Sequence, residues 1–261
     1  MYETCPKCGY RLDPKTEAPA DQCPECGIIF SKWLRSQLKP LPAVDSAPGA
    51  GGAVKSGMAG AWGWLNARLF HVEPELDAIT VYARGVVLLA AIAWGVKFIL
   101  ADPAAVSGGV PASDDFIMHR VNLVFHEAGH VIFRVFGDFM GTLGGSLGQL
   151  LMPFIVMCAF LFRYHNPFGA SIGLWWLGQS TIDLAPYIAD ARAKQLLLLG
   201  GITGRDSPLY HDWANILGRK GWLNYDLEIA AAADLIGEVL MVTAMVWGAV
   251  LVWKQWMEIR G

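Results

Sequence analysis

The sequence predicts a mainly α-helical fold, a polytopic bundle of about five transmembrane helices that follows a small cysteine-rich head. Three observations support this prediction. The chain is 54% hydrophobic and only 16% charged, whereas an ordinary soluble domain carries about 25% charged residues. Charge is dense before residue 40 and sparse after residue 78. Four of the five cysteines lie near the N-terminus in two Cys-x-x-Cys pairs.

Composition divides the chain into three parts. Residues 1–34 form the polar head, residues 35–60 form a flexible linker, and residues 61–261 form a membrane-embedded domain. The linker is rich in Pro, Gly and Ala, so it cannot bury enough apolar surface to offset its chain entropy. The tryptophan-containing segment 61–76 fits either an interfacial helix or an ordinary lead-in to the first span.

Five apolar segments are candidates for membrane spans. A helix rises 1.5 Å per residue, so about 20 apolar residues cross a hydrocarbon core of about 30 Å. The second segment contains several histidines, a glutamate and arginines, and we expect other helices to shield it from lipid. The predicted spans cover residues 79–101, 116–137, 139–162, 167–189 and 229–253.

Basic residues in the loops predict the orientation of these spans. The 102–115 loop has no Lys or Arg and is expected outside, whereas the 190–228 loop has five and is expected inside. No signal peptide is recognisable at the N-terminus. We therefore expect an integral membrane protein, of a bacterial inner membrane, with a cytoplasmic N-terminus. The net charge of −3 does not indicate nucleic acid as a partner.

The cysteine pairs of the head predict a metal site. Cys5 and Cys8 are separated from Cys23 and Cys26 by 14 residues. Four thiolates at this spacing make a closed tetrahedral site of the kind that holds structural zinc. The head resembles a zinc ribbon, and so short a segment would need the metal for its stability. The alternative is a pair of redox-active motifs. We expect the head to dock a cytoplasmic protein partner.

A second metal site is predicted inside the membrane domain by His126-Glu127-Ala128-Gly129-His130. Side chains at i and i+4 share one face of a helix, so His126 and His130 can hold one zinc ion while Glu127 faces a metal-bound water. The carboxylate could take the proton of that water and pass it to a leaving amine. The alternative is a structural polar cluster.

A hydrolytic zinc site needs a third protein ligand and an open position. The residues themselves leave three candidates: Asp183 in the fourth predicted span, Asp190 at its end, and His211 in the following loop.

The membrane domain resembles the site-2 proteases, the intramembrane zinc metalloproteases. The likeness rests on HEAGH, the uncharged 139–162 segment, and the motif Asp183-Leu-Ala-Pro186-Tyr-Ile-Ala-Asp190. It implies that Asp190 is the third ligand and that Asp183 occupies a position where the family has Asn. The spacing here is one residue shorter, and Ala191 stands where the family has Gly.

The resemblance implies a zinc endopeptidase that cleaves membrane-embedded or juxtamembrane peptide bonds of a membrane protein, with Glu127 as general base and acid. Asp190 then joins His126 and His130 around the ion, and a second zinc lies in the head. The alternative is a non-proteolytic scaffold in the lipid bilayer, with a structural metal site and a head that binds a partner. The presence of Glu127 favours the enzyme, because a structural site has no need of the carboxylate.

Overall fold

Secondary structure follows the apolar segments of the chain closely. The computed structural model describes residues 4–11, 21–32, 57–73, 76–102, 106–107, 110–111 and 116–260. The chain divides into two compact units, Met1–Gly57 and Met58–Gly261. The predicted linker lies mostly outside the described residues, and a helix already begins at Gly57, within the predicted linker.

In the first unit, each cysteine pair lies on a tight turn. The amide of Gly9 donates to the carbonyl of Cys5, and the amide of Gly27 donates to that of Cys23, both at 2.9 Å. Gly9 and Gly27 have φ angles of 74° and 69°, a region that L side chains rarely adopt. The two glycines therefore let the backbone close over the sulfurs. Cys5, Cys23 and Phe30 form the small core of this unit.

The second unit consists of helices and one short hairpin. Its helices, in chain order, are α1 (Gly57–Leu69), α2 (Ala78–Ile99), α3 (Phe116–Phe133), α4 (Asp138–Cys158), α5 (Pro167–Ala189), α6 (Asp212–Lys220) and α7 (Asp226–Glu258). Strands β1 (Val106–Ser107) and β2 (Val110–Pro111) pair antiparallel between α2 and α3. A π-helical segment, Ala159–Arg163, extends α4. Short 3-10 turns cover Arg134–Phe136, Pro208–Tyr210 and Leu223–Tyr225.

Local signals in the sequence account for several helix ends. The Asp77 side chain accepts from the amide of Thr80 and begins α2, and the Asn166 side chain accepts from the amide of Gly169 and begins α5. Such side chains satisfy amides that the first helical turn leaves without a partner. Gly221, at φ 70°, ends α6.

Three helical segments of the described residues are long and apolar enough to cross a membrane: Ala78–Ile99, Asp138–Arg163 and Leu223–Glu258. The prediction of about five transmembrane helices is therefore not supported. The predicted spans at 116–137 and 167–189 correspond to α3 and α5, which carry polar and charged residues such as His126, Glu127, Gln179 and Asp183. His126 and Gln179 are buried among the helices, whereas Glu127 is exposed, and these two helices are less apolar than a lipid-facing span.

Helix α5 lies at the centre of the second unit, with most of its side chains buried. It runs antiparallel to α7, since Gly178 meets Gly237 and Met241 while Ile188 meets Ala230. It also runs antiparallel to α4, where Gly173 approaches Met157 and the Gln149 side chain reaches the carbonyl of Ser180. Glycines allow these close approaches, because an added Cβ would overlap the facing backbone.

Helices α3 and α4 form a tight hairpin around glycines. An added Cβ on Gly148 would come within 2.5 Å of the carbonyl of Phe125, and one on Gly144 within 2.6 Å of that of Gly129. This contact brings the histidine-bearing face of α3 against the N-terminal half of α4. The segment 190–225 between α5 and α7 is tied to the start of α7 by Arg192, whose guanidinium lies 2.6 Å from Asp226.

Candidate metal centres

The four cysteines of the first unit lie together. Their Sγ atoms are all within 4.8 Å of one another, and the pairs Cys5–Cys26 and Cys8–Cys23 are each 3.7 Å apart. A disulfide has an S–S distance of about 2.05 Å, so these are separate thiols. Four sulfurs placed about 2.3 Å from one zinc ion would be about 3.8 Å apart. The cluster therefore has the dimensions of a metal site.

The thiols of the first turn differ: backbone hydrogen bonding at Tyr10 lowers the pKa of Cys8, but burial and the other cysteines outweigh it and raise the pKa to about 12. Burial raises the pKa of the Cys5 thiol, but hydrogen bonds from the backbone at Cys8 and Lys7 outweigh it and lower the pKa to about 6. A thiolate is the form that binds a metal ion. The backbone amides of the turn thus prepare one sulfur for coordination before any ion arrives.

In the second unit, His126 and His130 converge on the carboxylate of Asp212. The Nε2 atoms of the two histidines lie 3.0 Å and 3.2 Å from Asp212 Oδ2. The three side chains offer ligand atoms within 4.8 Å of one another. The two histidines are one turn apart on α3, whereas Asp212 is the first residue of α6.

The opposite nitrogens of the two rings define the tautomers. His130 Nδ1 lies 2.8 Å from the carbonyl oxygen of Gly141, an atom that only accepts hydrogen bonds. His126 Nδ1 lies 3.1 Å from Gln149 Oε1, because the amide nitrogen of Gln149 is already donating elsewhere. Both rings therefore carry a proton on Nδ1. Two Nε2 lone pairs and a carboxylate oxygen then face one another, an arrangement that a cation would stabilise.

Gly145 leaves space at the meeting point of these atoms. An added Cβ at this position would lie 2.5 Å from His126 Nε2 and 2.6 Å from His130 Nε2. A zinc ion would sit about 2.0–2.1 Å from such nitrogens. The donor set and the open space both fit a bound divalent metal.

Asp183 is connected to His126 through the side chain of Gln149. Its Oδ2 accepts from Gln149 Nε2 and from Asn122 Nδ2, each at 3.1 Å, and His119 Nδ1 lies 3.1 Å from Oδ1. Asp183 therefore orients Gln149, which in turn orients the His126 ring. Its role in the structure is to position the ring.

Asp190, predicted as the third ligand, lies against His211, whereas Asp212 is the carboxylate that lies against both His126 and His130. The Asp190 carboxylate accepts from the amides of Gln195 and Leu196 at 2.8 Å and 2.9 Å and lies 3.2 Å from His211 Nε2. The His211 ring in turn accepts from the amide of Ala214 and caps the first turn of α6. The pair Asp190–His211 thus holds the start of α6, where Asp212 lies.

Asp212 is held in its ionised form. Burial raises the pKa of its carboxyl, but the adjacent His126 and His130 outweigh that effect, so the pKa lies below its usual range. Its backbone amide donates to the Tyr187 hydroxyl at 2.8 Å.

The three residues line a cavity of about 850 Å³ that also contains Glu127 and Tyr187. Glu127 is exposed, on the same face of α3 as the histidines. Apolar residues from Leu196 to Leu199, together with Leu209 and Tyr210, form another part of the wall. The site is therefore open to a ligand of considerable size, in contrast to a closed structural site.

Two loops that the sequence predicts on opposite membrane faces both line this cavity. Pro111 at the end of β2 and the segment 196–200 line the same cavity. The sequence placed the 102–115 loop and the 190–228 loop on opposite faces of the membrane. The orientation of the two loops stays a prediction, because the same cavity also runs along α3 from His119 to Arg134.

Sequence reasoning missed Asp212, Gln149 and Tyr187 as members of the site. The sequence offers His211 as a candidate ligand, whereas the residue that contacts both histidines is its neighbour Asp212. The sequence signal for Asp212 is that its carboxylate directly follows His211, which is itself a candidate ligand.

Comparisons with protein-family models, with curated proteins and with solved structures found no match to this chain.

Proposed function

We propose that the second unit is a zinc endopeptidase of site-2 type that cleaves membrane-embedded or juxtamembrane segments of other membrane proteins. The observation that carries the proposal is the position of Glu127. Its carboxylate shares one cavity with His126, His130 and Asp212. Two histidines, a carboxylate and an open cavity are the pattern of hydrolytic zinc sites.

The proposed ligands are His126, His130 and Asp212. A zinc ion held there would polarise the scissile carbonyl and lower the pKa of a water molecule towards 7. Glu127 would accept the proton of the attacking water and deliver it to the leaving amine. Tyr187 lines the same cavity next to Asp212, where its hydroxyl accepts from the Asp212 amide at 2.8 Å and donates to the carbonyl of Tyr210 at 3.4 Å.

The first unit supports a separate role. Four thiolates leave no open position on a tetrahedral ion, so we propose a structural zinc there and a protein-docking function for the head. The reduced thiols that such a site needs favour a cytoplasmic N-terminus, and we propose a bacterial inner membrane as the location.

The experiment compares the membrane proteomes of cells that express the natural chain and the Glu127→Gln variant. This substitution preserves the size of the side chain and removes its ability to take a proton. We expect at least one membrane-protein fragment to disappear in the variant while its uncleaved precursor accumulates.

The matched control is Glu258→Gln, which makes the same chemical change at the exposed end of α7. Metal content is measured in both variants and must equal that of the natural chain. Identical fragments in the Glu127→Gln and Glu258→Gln cells would contradict the protease proposal and favour the non-proteolytic scaffold.

A further inference from the structure

One end of the second unit is a cluster of aromatic side chains, which we name the aromatic end. Trp64 on α1 stacks on Phe162 of the π segment, with ring centroids 6.1 Å apart. Trp247 Nε1 donates to the carbonyl of Leu69 at 2.8 Å, and Trp253 lies 5.3 Å from Trp256. These contacts join the end of α1, the end of the α4 segment and the C-terminal third of α7.

Cations accompany these rings. Arg68 lies over Trp64 at 5.7 Å, Lys254 over Phe70 at 4.8 Å, and Arg260 over Trp256 at 3.9 Å. Within the described residues, no salt bridge engages these three side chains. Indole rings with long basic side chains beside them are typical of the headgroup region of a bilayer. Trp62 and Trp253 are also 69% and 60% exposed, as expected of rings that contact lipid.

The metal-site residues lie about 20 Å from this end. Along α4 and its π extension, 13 residues separate Gln149, beside His126, from Phe162, which corresponds to about 20 Å at 1.5 Å per residue. Along α7, 14 residues separate Ala233, which packs at the level of Leu184, from Trp247, or about 21 Å. The hydrocarbon core is about 30 Å thick. If the aromatic end lies at one interface, the site lies beyond the midplane.

Two segments outside the long helices line the cavity: strand β2 and the segment 196–210. Strand β2 follows α2 after that helix has run away from the aromatic end, since Arg84 packs on Phe168 while Phe98 packs beside Met241. The segment 196–210 follows the end of α5, and it is bounded by Asp190 and Arg192, which bind neighbouring groups at the start of α6 and α7. The segment 196–210 thus lies at the end opposite to the aromatic one, and β2 follows the end of α2 that points in the same direction.

We propose that the aromatic end docks in one lipid interface and that the metal cavity opens at the opposite membrane face, between α3 and the segment 196–210. The partner of the aromatic end is the headgroup layer of the bilayer. The consequence for substrates rests on the proposed function: the bond that is cut lies near the far interface and is reached from that face.

The test is the labelling of single cysteines by a membrane-impermeant maleimide in sealed vesicles of both orientations, in the full chain carrying Cys158→Ala. Gly63→Cys and Gly218→Cys form a matched pair, because an added Cβ meets nothing within 4 Å at either glycine. Gly63 lies in α1 and Gly218 in α6. Val110→Cys reports on the hairpin, where Val110 is 44% exposed. The Cys158→Ala chain without an added cysteine measures labelling of the head.

We expect Gly63→Cys to be labelled from one face only, and Gly218→Cys and Val110→Cys from the other face only. Labelling of Gly63→Cys and Gly218→Cys from the same face would overturn the proposal. Labelling of Val110→Cys from the face opposite to Gly218→Cys would restore the five-span arrangement and overturn it too, as would labelling of any position only after detergent. No cleavage is measured, so this result stands or falls separately from the protease proposal.

Discussion

The two candidate metal centres are built in opposite ways. In the first unit, all four ligands come from two turns of the same design, each with a cysteine pair followed by a glycine at positive φ. In the second unit, His126 and His130 come from one helix while Asp212 is 82 residues further along the chain. The first site is closed by its own ligands, and the second opens into a cavity.

This difference shows how far a site depends on the rest of the fold. The cysteine cluster depends on short-range backbone geometry, so the spacing of the cysteines predicts it. The histidine site depends on neighbours that hold each ligand: Gly141 and Gln149 for the rings, and Asp190 with His211 for the helix that carries Asp212. We therefore expect a substitution at one centre to leave the other unchanged. The cysteine site should respond to its own turns, whereas the histidine site should also respond to substitutions at distant supporting residues.

The largest expected effect is on the head. The double variant Cys23→Ser/Cys26→Ser should lose one metal ion per chain and unfold the first unit, because metal binding supplies about 10 kcal/mol or more to such small domains. Elemental analysis of the purified chain gives the metal count. Retention of the second ion in the same sample would show that the two centres are independent. Loss of both ions would contradict that independence.

The second-largest effect is expected when the proposed third ligand, Asp212, is removed. Asp212→Ala should lower the zinc affinity of the second unit more than about 100-fold, beyond the 10–100-fold typical of residues that support a ligand. Asp190→Asn retains hydrogen-bonding oxygen and should cost less. Competition with a chelator measures both affinities, and a larger loss in Asp190→Asn would return Asp190 to the ligand set.

The next largest effect is expected when the space beside the His126 and His130 rings is filled. Gly145→Ala places a methyl group against both Nε2 atoms, and overpacking of this kind costs about 1–3 kcal/mol, or about 5–150-fold in zinc affinity. Gly141→Ala on the same helix is the control, since its Cβ would meet only Arg134, at 3.4 Å or more. Equal affinities in the two variants would show that the ion does not lie beside Gly145.

The smallest expected effect concerns the residues that orient His126. Asp183→Asn should lower zinc affinity about 10-fold, because the charge that holds Gln149 is lost. Gln149→Leu should have a similar effect, and the double variant should be no worse than the worse single variant, since both act through one ring. Additive losses would indicate that Asp183 acts on the metal by another route.

Much of this arrangement was accessible from the sequence. The mainly helical fold, the apolar segments of α2, α4 and α7, the four-cysteine cluster and the shared face of His126 and His130 follow from spacing and periodicity. The number of spans did not follow, because α3 and α5 are long enough to resemble spanning helices while they carry polar residues such as His126, Gln179 and Asp183. The sequence shows that α4 is rich in glycine, but the role of Gly145 depends on where the rings of His126 and His130 meet.

Patterns that repeat within a few residues were determined by the sequence alone: a thiolate pair on a turn, two imidazoles one helical turn apart, and an apolar run long enough to cross lipid. The tertiary structure alone decided which carboxylate completes the histidine site. Asp183 and Asp190 lie in or directly after α5, and Asp212 begins α6. Their hydrogen bonds across the bundle distinguish their roles. Asp183 binds Gln149, Asp190 binds His211, and Asp212 alone reaches both histidines. The physical reason is that a ligand set drawn from distant segments depends on helix packing, which no local pattern encodes.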